Sequence, residues 1–228
     1  MKRIHHDLKK VQKLERKKYH PLIHQVHKKH QISKRTLFYI KEYGSHSHVP
    51  RTIIRESIKI LIFASILSSL GGLAFEQIKE IFISITPLII LLPTLNGMIG
   101  GYGGIFSSKF ATLLHEHKQK ETLKKALKKL MLQLLIISLI TAFSASLLAL
   151  GISSLKHPAT PNLAAKIIAI TLIDTLLLIT ILFCISIGAG IYVWKKQEDP
   201  NNFLIPITTS IADFGNMIIL AVLIVLFF

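Results

Sequence analysis

Five long stretches of this sequence carry almost no charge, and they restrict the fold more than any other feature. No charged residue occurs in residues 60–75, 81–108 and 130–155, and a single one occurs in each of residues 167–194 and 201–228. A helix needs roughly 20 apolar residues to cross a bilayer. Only 18% of the 228 residues are charged, whereas a soluble domain carries about a quarter. The sequence therefore predicts an all-α, polytopic membrane protein with five transmembrane helices, and excludes a soluble enzyme.

The positions of the Lys and Arg residues predict how these helices are oriented. We expect the spans at about residues 57–75, 81–109, 130–155, 163–194 and 203–228. Of the 28 Lys and Arg, 25 lie in segments 1–59, 109–129 and 195–202, which would share one side, and three lie on the other side. Cytoplasmic loops are enriched in Lys and Arg. We therefore expect a multi-pass cell-membrane protein with its N-terminus in the cytoplasm and, after five spans, its C-terminus outside.

The first 50 residues differ in character from the rest, so we expect a basic, His-rich cytoplasmic arm over 1–50 and a five-helix transmembrane domain over 51–228. Eight of the eleven histidines lie in the first 48 residues, and the start lacks the apolar stretch of a cleavable signal peptide. Neither this tract nor the pairs His46/His48 and His115/His117 has the spacing of a defined zinc site. We expect a solvated basic face, with a metal sensor as the alternative. Its lysines suit anionic membrane lipids, and no recognition-helix pattern supports nucleic-acid binding.

Two aspartates interrupt the apolar stretches, and a carboxylate at the bilayer centre costs about 2.5–3.5 kcal/mol. Asp213 and Asp174 both fall near the midplane of the predicted spans. Asp213 shares a helix face with Asn202, Thr209 and Asn216, which is typical of the wall of a water-filled pathway. Asp174 lies among Leu and Ile, so a structural or protonated acid is an equal alternative there.

The second span is unusually rich in helix-breaking residues. It contains Pro93 and Asn96 and then five glycines: Gly97, Gly100, Gly101, Gly103 and Gly104. Each glycine costs up to about 1 kcal/mol in a helix interior. The stretch predicts a broken second helix whose exposed carbonyl oxygens suit a hard cation. Close helix packing through small residues is the alternative.

The order and spacing of these residues resemble the MgtE-type magnesium transporter family, which is related to eukaryotic solute-carrier magnesium transporters. The resemblance is carried by Pro93, Asn96-Gly97, the glycine run and the segment from Pro206 to Asp213, and Tyr102 stands where that family usually has Asn. It implies a homodimer of five-helix units with a cation route lined by the second and fifth spans. It also implies that Asp213 is the central cation-binding carboxylate.

These observations predict a transporter or channel for divalent cations, chiefly Mg²⁺, with Mn²⁺ or other divalent ions as further cargo. The expected cation-binding residues are Asp213, Asn96, Thr209, Asn216 and Asp174, with the five glycines supplying pathway backbone. A non-transport membrane adaptor that recruits lipid or partners through the basic arm is one alternative, and an organic-substrate transporter is another. We expect no enzymatic activity, because no catalytic histidine constellation can be assembled within the spans.

Overall fold

The computed structural model describes residues 2–12, 14, 20–32, 34–43, 49–116, 120–155, 158–195 and 200–228. Helices account for nearly all of this part of the chain. They are α1 (Lys2–Gln12), α2 (Pro21–His30), α3 (Lys34–Tyr43), α4 (Val49–Glu76), α5 (Lys79–Ser84), α6 (Thr86–Glu116), α7 (Lys120–Ser154), α8 (Pro161–Lys195) and α9 (Pro200–Phe227). Proline stands at the first position of α2, α8 and α9, where its missing N–H leaves no helical hydrogen bond unmade.

Five of these helices are long and apolar enough to cross a membrane. The qualifying segments are Ile58–Glu76, Thr86–Leu114, Glu121–Ser154, Pro161–Lys195 and Phe203–Phe227. They confirm the predicted all-α class and the five spans, because each coincides with one of the stretches that carry almost no charge.

Helix α9 lies at the centre of the bundle and packs against α4, α6 and α8, while α7 packs against α6 and α8. A buried stripe of α9, made of Leu204, Thr208, Ala212, Asn216 and Leu220, has no exposed surface. A step of four residues advances about 400°, so the stripe winds gradually from the side of α9 that meets α8 to the side that meets α6. Two adjoining sides of α9 are therefore buried by α6 and α8.

The second span predicted over residues 81–109 is interrupted, but not at its glycines. Helix α6 continues from Thr86 to Glu116 with Pro93 inside it, and the chain leaves helical geometry earlier, at Ile85 between α5 and α6. The span therefore begins at Thr86 rather than at residue 81. The physical reason is that a helix satisfies its own backbone groups, which exposure to lipid would otherwise leave without partners.

The N-terminal helices form a small cluster of their own. Val11, Ile23, Val26 and Leu37 are buried where α1, α2 and α3 meet. Asp7 Oδ2 accepts hydrogen bonds from His30 Nε2 at 2.9 Å and Lys29 Nζ at 2.8 Å. These two bonds hold the pKa of the Asp7 carboxyl well below its usual range, and the bond from His30 has the larger effect. The division at residue 50 and the cytoplasmic location of this cluster stay predictions; α4 begins at Val49.

Candidate functional site

Helices α6 and α9 meet along a seam of polar and small side chains. Asn216 Nδ2 donates a hydrogen bond to Asn96 Oδ1. Further along α6, Ser107 Oγ lies 3.2 Å from Thr208 Oγ1. Because the residue numbers rise along α6 as they fall along α9, the two helices are antiparallel. The seam thus joins two of the predicted site residues, Asn96 and Asn216, directly.

The five glycines of α6 divide into two groups. A Cβ at Gly103 would lie 3.3 Å from Thr208 Cβ, and one at Gly100 would lie 4.0 Å from a methyl carbon of Thr209, so these two glycines face α9. A Cβ at Gly97, Gly101 or Gly104 would meet nothing within 4 Å. Their spacing of four and three residues puts them on one side of α6. We call these three residues the open glycine face.

Asp213 lies on α9 between Thr209 and Asn216 and is half-buried. At about 100° per residue, it lies between the side of α9 that meets α6 and the side that meets α4. The latter is marked by Phe214, whose Cα would lie 3.2 Å from a Cβ at Gly71. Within the described ranges, the Asp213 carboxylate makes no hydrogen bond or ion pair. It is therefore an unpaired acid at the edge of the α6–α9 seam.

Asp213 and the open glycine face lie on the same side of the α6–α9 pair, away from α8. Helix α8 approaches the other side of both helices, where a Cβ at Gly190 would lie 2.6 Å from Phe110 Cε1 and 3.1 Å from Leu204 Cδ1. The contact between Asn96 and Asn216 places Asp213 about 3 Å, roughly half a helical turn, from Gly97 along the axis. A carboxylate thus adjoins a stretch of helix surface that has no side chains to cover it.

Asp174 is not brought together with Asp213. Its side chain is fully buried on the face of α8 that packs into the bundle, whereas Asp213 lies on the side of α9 turned away from α8. Both Asp174 oxygens and the neighbouring Thr175 Oγ1 are buried and have no hydrogen-bond partner among the residues that the structure places. The two acids therefore belong to separate environments.

Sequence reasoning missed two hydroxyl pairs. Thr208, not only Thr209, meets α6, and its hydroxyl also donates to Leu204 O at 2.8 Å. Tyr102 Oη lies 2.7 Å from Thr141 Oγ1 on α7, so the position where the resembled family usually has Asn contacts α7. The recurrence of polar residues every three or four positions along α6 and α9 could have indicated a polar helix face. It does not show which helix that face contacts.

His20, at the N-terminal cap of α2, and His27 and His30 within α2 each make a separate hydrogen bond. His20 Nδ1 accepts from Leu22 N at 3.2 Å, His27 Nδ1 lies 2.6 Å from Ile32 O, and His30 bonds Asp7. Among the residues that the structure places, no three His, Cys, Asp or Glu side chains are grouped so that they could hold a metal ion. His46, His48 and His117 lie outside the described residues, as do the side chains of His115 and Asn202.

The sequence was compared with protein families and with known proteins. A family model described as a divalent cation transporter, MgtE, matches residues 92–223, which is more than half of the chain. Solute carrier family 41 member 2 of Gallus gallus is 27% identical over 184 residues, covering 75% of this chain and 32% of its own length. The same-named protein of Xenopus laevis is 25% identical over 186 residues, covering 75% and 33%.

The chain spans about a third of the length of these curated relatives. No solved structure matches. The matched segment begins within α6 and ends within α9, so it includes the polar seam, the open glycine face and Asp213. This membrane-embedded chain belongs to the MgtE family of divalent cation transporters.

Proposed function

We propose that the protein moves divalent cations, chiefly Mg²⁺, across the membrane along a route lined by α6 and α9, with Asp213 as the central cation-binding carboxylate. The observation that carries this proposal is the unpaired Asp213 carboxylate beside the open glycine face. Asp213 lies ten residues from Phe203, or about 15 Å into the span at 1.5 Å per residue. An acid at that depth costs about 2.5–3.5 kcal/mol, and a bound cation offsets this cost.

The side chains around Asp213 suit a hydrated ion. Mg²⁺ gives up its waters reluctantly and is often held through one or two carboxylates and several waters. Asn96 and Thr209 are half-buried, and Thr209 donates its hydroxyl hydrogen to its own helix, at 3.0 Å from both Ile205 O and Pro206 O. The Thr209 oxygen can therefore accept a hydrogen from the ion's waters. Asn216 holds Asn96 in place, and Mn²⁺ and other oxygen-seeking divalent ions share this chemistry.

A second copy of the chain would complete the site. One Asp213 supplies a single negative charge, and two across a dimer axis would match the charge of a divalent cation. Small residues on a membrane helix allow close approach of another helix, and the open glycine face offers such a surface beside Asp213. We therefore propose a homodimer in which the α6–α9 pairs of both copies line the route.

The N-terminal arm is proposed to lie on the cytoplasmic side. Its excess of Lys and Arg follows the positive-inside rule. Each Lys or Arg near an anionic membrane surface contributes about 1 kcal/mol of attraction, so the arm is placed to rest against lipid headgroups.

The test is Mg²⁺ uptake by proteoliposomes containing the wild-type chain or Asp213→Asn, with Mn²⁺ and Ca²⁺ as competing ions. We expect Asp213→Asn to reduce uptake to the level of protein-free liposomes, because the substitution removes the charge but keeps the size of the side chain. Glu76→Gln is the matched control, since it removes one carboxylate at the exposed end of α4, and it should transport normally.

If a correctly inserted Asp213→Asn protein takes up Mg²⁺ at the wild-type rate, Asp213 is not the central cation-binding carboxylate. An absence of divalent-cation uptake by the wild-type protein would instead favour the membrane-adaptor alternative.

A further inference from the structure

Asp174 forms the second unusual acidic environment of the bundle. Its side chain is fully buried, and both of its carboxylate oxygens lack a hydrogen-bond partner in the described part of the chain. Thr175 Oγ1, next to it on α8, and Asn216 Oδ1 on α9 are also buried without a partner. All four of these oxygen atoms can accept a hydrogen bond or coordinate a cation.

Helix contacts place these atoms at nearly the same level of the bundle. A Cβ at Gly215 would lie 2.5 Å from Leu178 Cδ1, and this antiparallel register puts Asp174 about 5 Å, or one turn, from Asn216 along the axis. A Cβ at Gly103 would lie 3.6 Å from Leu182 Cδ1, which puts Asp174 nearly level with Asn96. By the same register, Asp213 lies about 9 Å from Asp174 along the axis, on the side of α9 that faces away from α8.

Among the residues that the structure describes, no side-chain cation pairs with Asp174. From Thr86 to Ser108, α6 has no Lys, Arg or His, and neither does α7 from Leu130 to Ser154. Helix α8 has two lysines. Lys166 lies eight residues from Asp174, and its Nζ donates to Phe227 O at 2.6 Å. Lys195 lies at the end of the helix, about 31 Å from Asp174 at 1.5 Å per residue. On α9 the charged residue is another acid, Asp213. A buried charge is normally paired or coordinates a cation.

The charge balance decides which kind of ligand fits. One carboxylate with a divalent ion would leave one positive charge unmatched inside the bundle, and an empty carboxylate would leave one negative charge. One carboxylate with a monovalent cation is neutral. We propose that Asp174 is a second cation site, separate from Asp213, that holds a single monovalent cation, either a proton or an alkali-metal ion.

Two measurements on the purified full-length protein distinguish the sources of that charge. A bound proton gives the infrared carbonyl band of a protonated carboxylic acid at a pH at which exposed carboxylates are ionised. A bound alkali-metal ion raises the melting temperature when Na⁺, Li⁺ or K⁺ replaces choline at constant ionic strength. We expect one of these signals in the wild-type protein, its loss in Asp174→Asn, and its retention in Asp213→Asn.

Thr175→Val serves as the second variant and keeps the side-chain shape. It should weaken an alkali-metal site roughly tenfold or more, because it removes one oxygen beside the ion, and it should leave the proton band in place. The proposal is overturned if the wild-type protein gives neither signal. It is also overturned if the signal disappears in Asp213→Asn and persists in Asp174→Asn. Neither measurement uses Mg²⁺, so a failure of the transport proposal leaves this result interpretable.

Discussion

Asn96 and Asn216 are two amides in an apolar bundle whose cost is offset by their bond to each other. We expect Asn96→Ala and Asn216→Ala to destabilise the protein, and the double variant to cost less than the sum of the two. Hydrogen bonds between membrane helices average about 0.6 kcal/mol and reach about 1.7 kcal/mol, so the coupling energy should fall in that range. Unfolding of the purified protein in a denaturing detergent, analysed as a double-mutant cycle, measures it.

Thr94→Ala is the control for this cycle. The Thr94 hydroxyl is exposed and bonds its own helix at Ile90 O, at 3.2 Å, so its loss should be nearly neutral and additive with Asn216→Ala. Strictly additive effects of the two Asn variants would contradict a direct role for the pair in joining α6 to α9.

Individual side chains were predicted from the sequence as far as helix spacing allows. The interval between Thr209, Asp213 and Asn216 placed all three on neighbouring parts of one helix surface, and the structure agrees. The bond between Asn96 and Asn216 joins residues 120 positions apart, and no local pattern contains the register of two antiparallel helices. For the same reason the roles of Thr208 and Tyr102 became visible only when their partners were known.

Helices α6, α8 and α9 pack closely together at Gly190. A Cβ there would lie 2.6 Å from Phe110 Cε1 and 3.1 Å from Leu204 Cδ1, so we expect Gly190→Ala to force these side chains apart. Overpacking of this kind typically costs about 1–3 kcal/mol. Gly188→Ala, two residues away on α8, would meet nothing within 4 Å and corrects for the difference in helix propensity. The melting temperatures of the two variants in detergent provide the comparison.

A Gly190→Ala protein at least as stable as Gly188→Ala would show that the three helices separate easily at this point. It would then contradict the tight contact of α8 with α6 and α9.

Helix α6 shows why local propensity misplaced the break in the second span. Five glycines and Pro93 disfavour a helix in water, but lipid penalises unpaired backbone groups more strongly. The glycines instead divide the surface of α6 into a side that meets α9 and the open glycine face. The chain breaks at Ile85, just before Pro87, which stands in the first turn of α6, where proline is favoured.

The assembly proposed for two copies makes the open glycine face the most sensitive surface of the molecule. Gly101→Leu should dissociate the proposed homodimer while leaving each copy folded, because a Cβ at Gly101 meets nothing within 4 Å among the described residues of its own chain. Single-molecule photobleaching of the labelled protein in liposomes counts the copies. Gly151→Leu, at an exposed and equally open position of α7, is the control and should stay dimeric.

A dimer that persists in Gly101→Leu would move the proposed interface away from α6.

The five-helix architecture itself followed from the sequence, because the lengths of the apolar stretches match the thickness of a bilayer. The surface proposed for contact with a second copy did not follow from the sequence, since apolar side chains can face either lipid or a protein partner.

Lys166 fastens one end of α9 to α8, through its hydrogen bond to Phe227 O and its position 4.7 Å from the centre of the Phe228 ring. If the Phe227 end of α9 stays in place as a fulcrum, the rest of α9 can pivot about it. Asp213 lies about 21 Å from it and Pro200 about 40 Å, at 1.5 Å per residue. A swing of about 5° around the fulcrum carries Asp213 sideways by about 2 Å and the Pro200 end by about 3.5 Å. A displacement of about 3.5 Å at the Pro200 end would therefore be enough to shift the carboxylate by more than the length of a covalent bond.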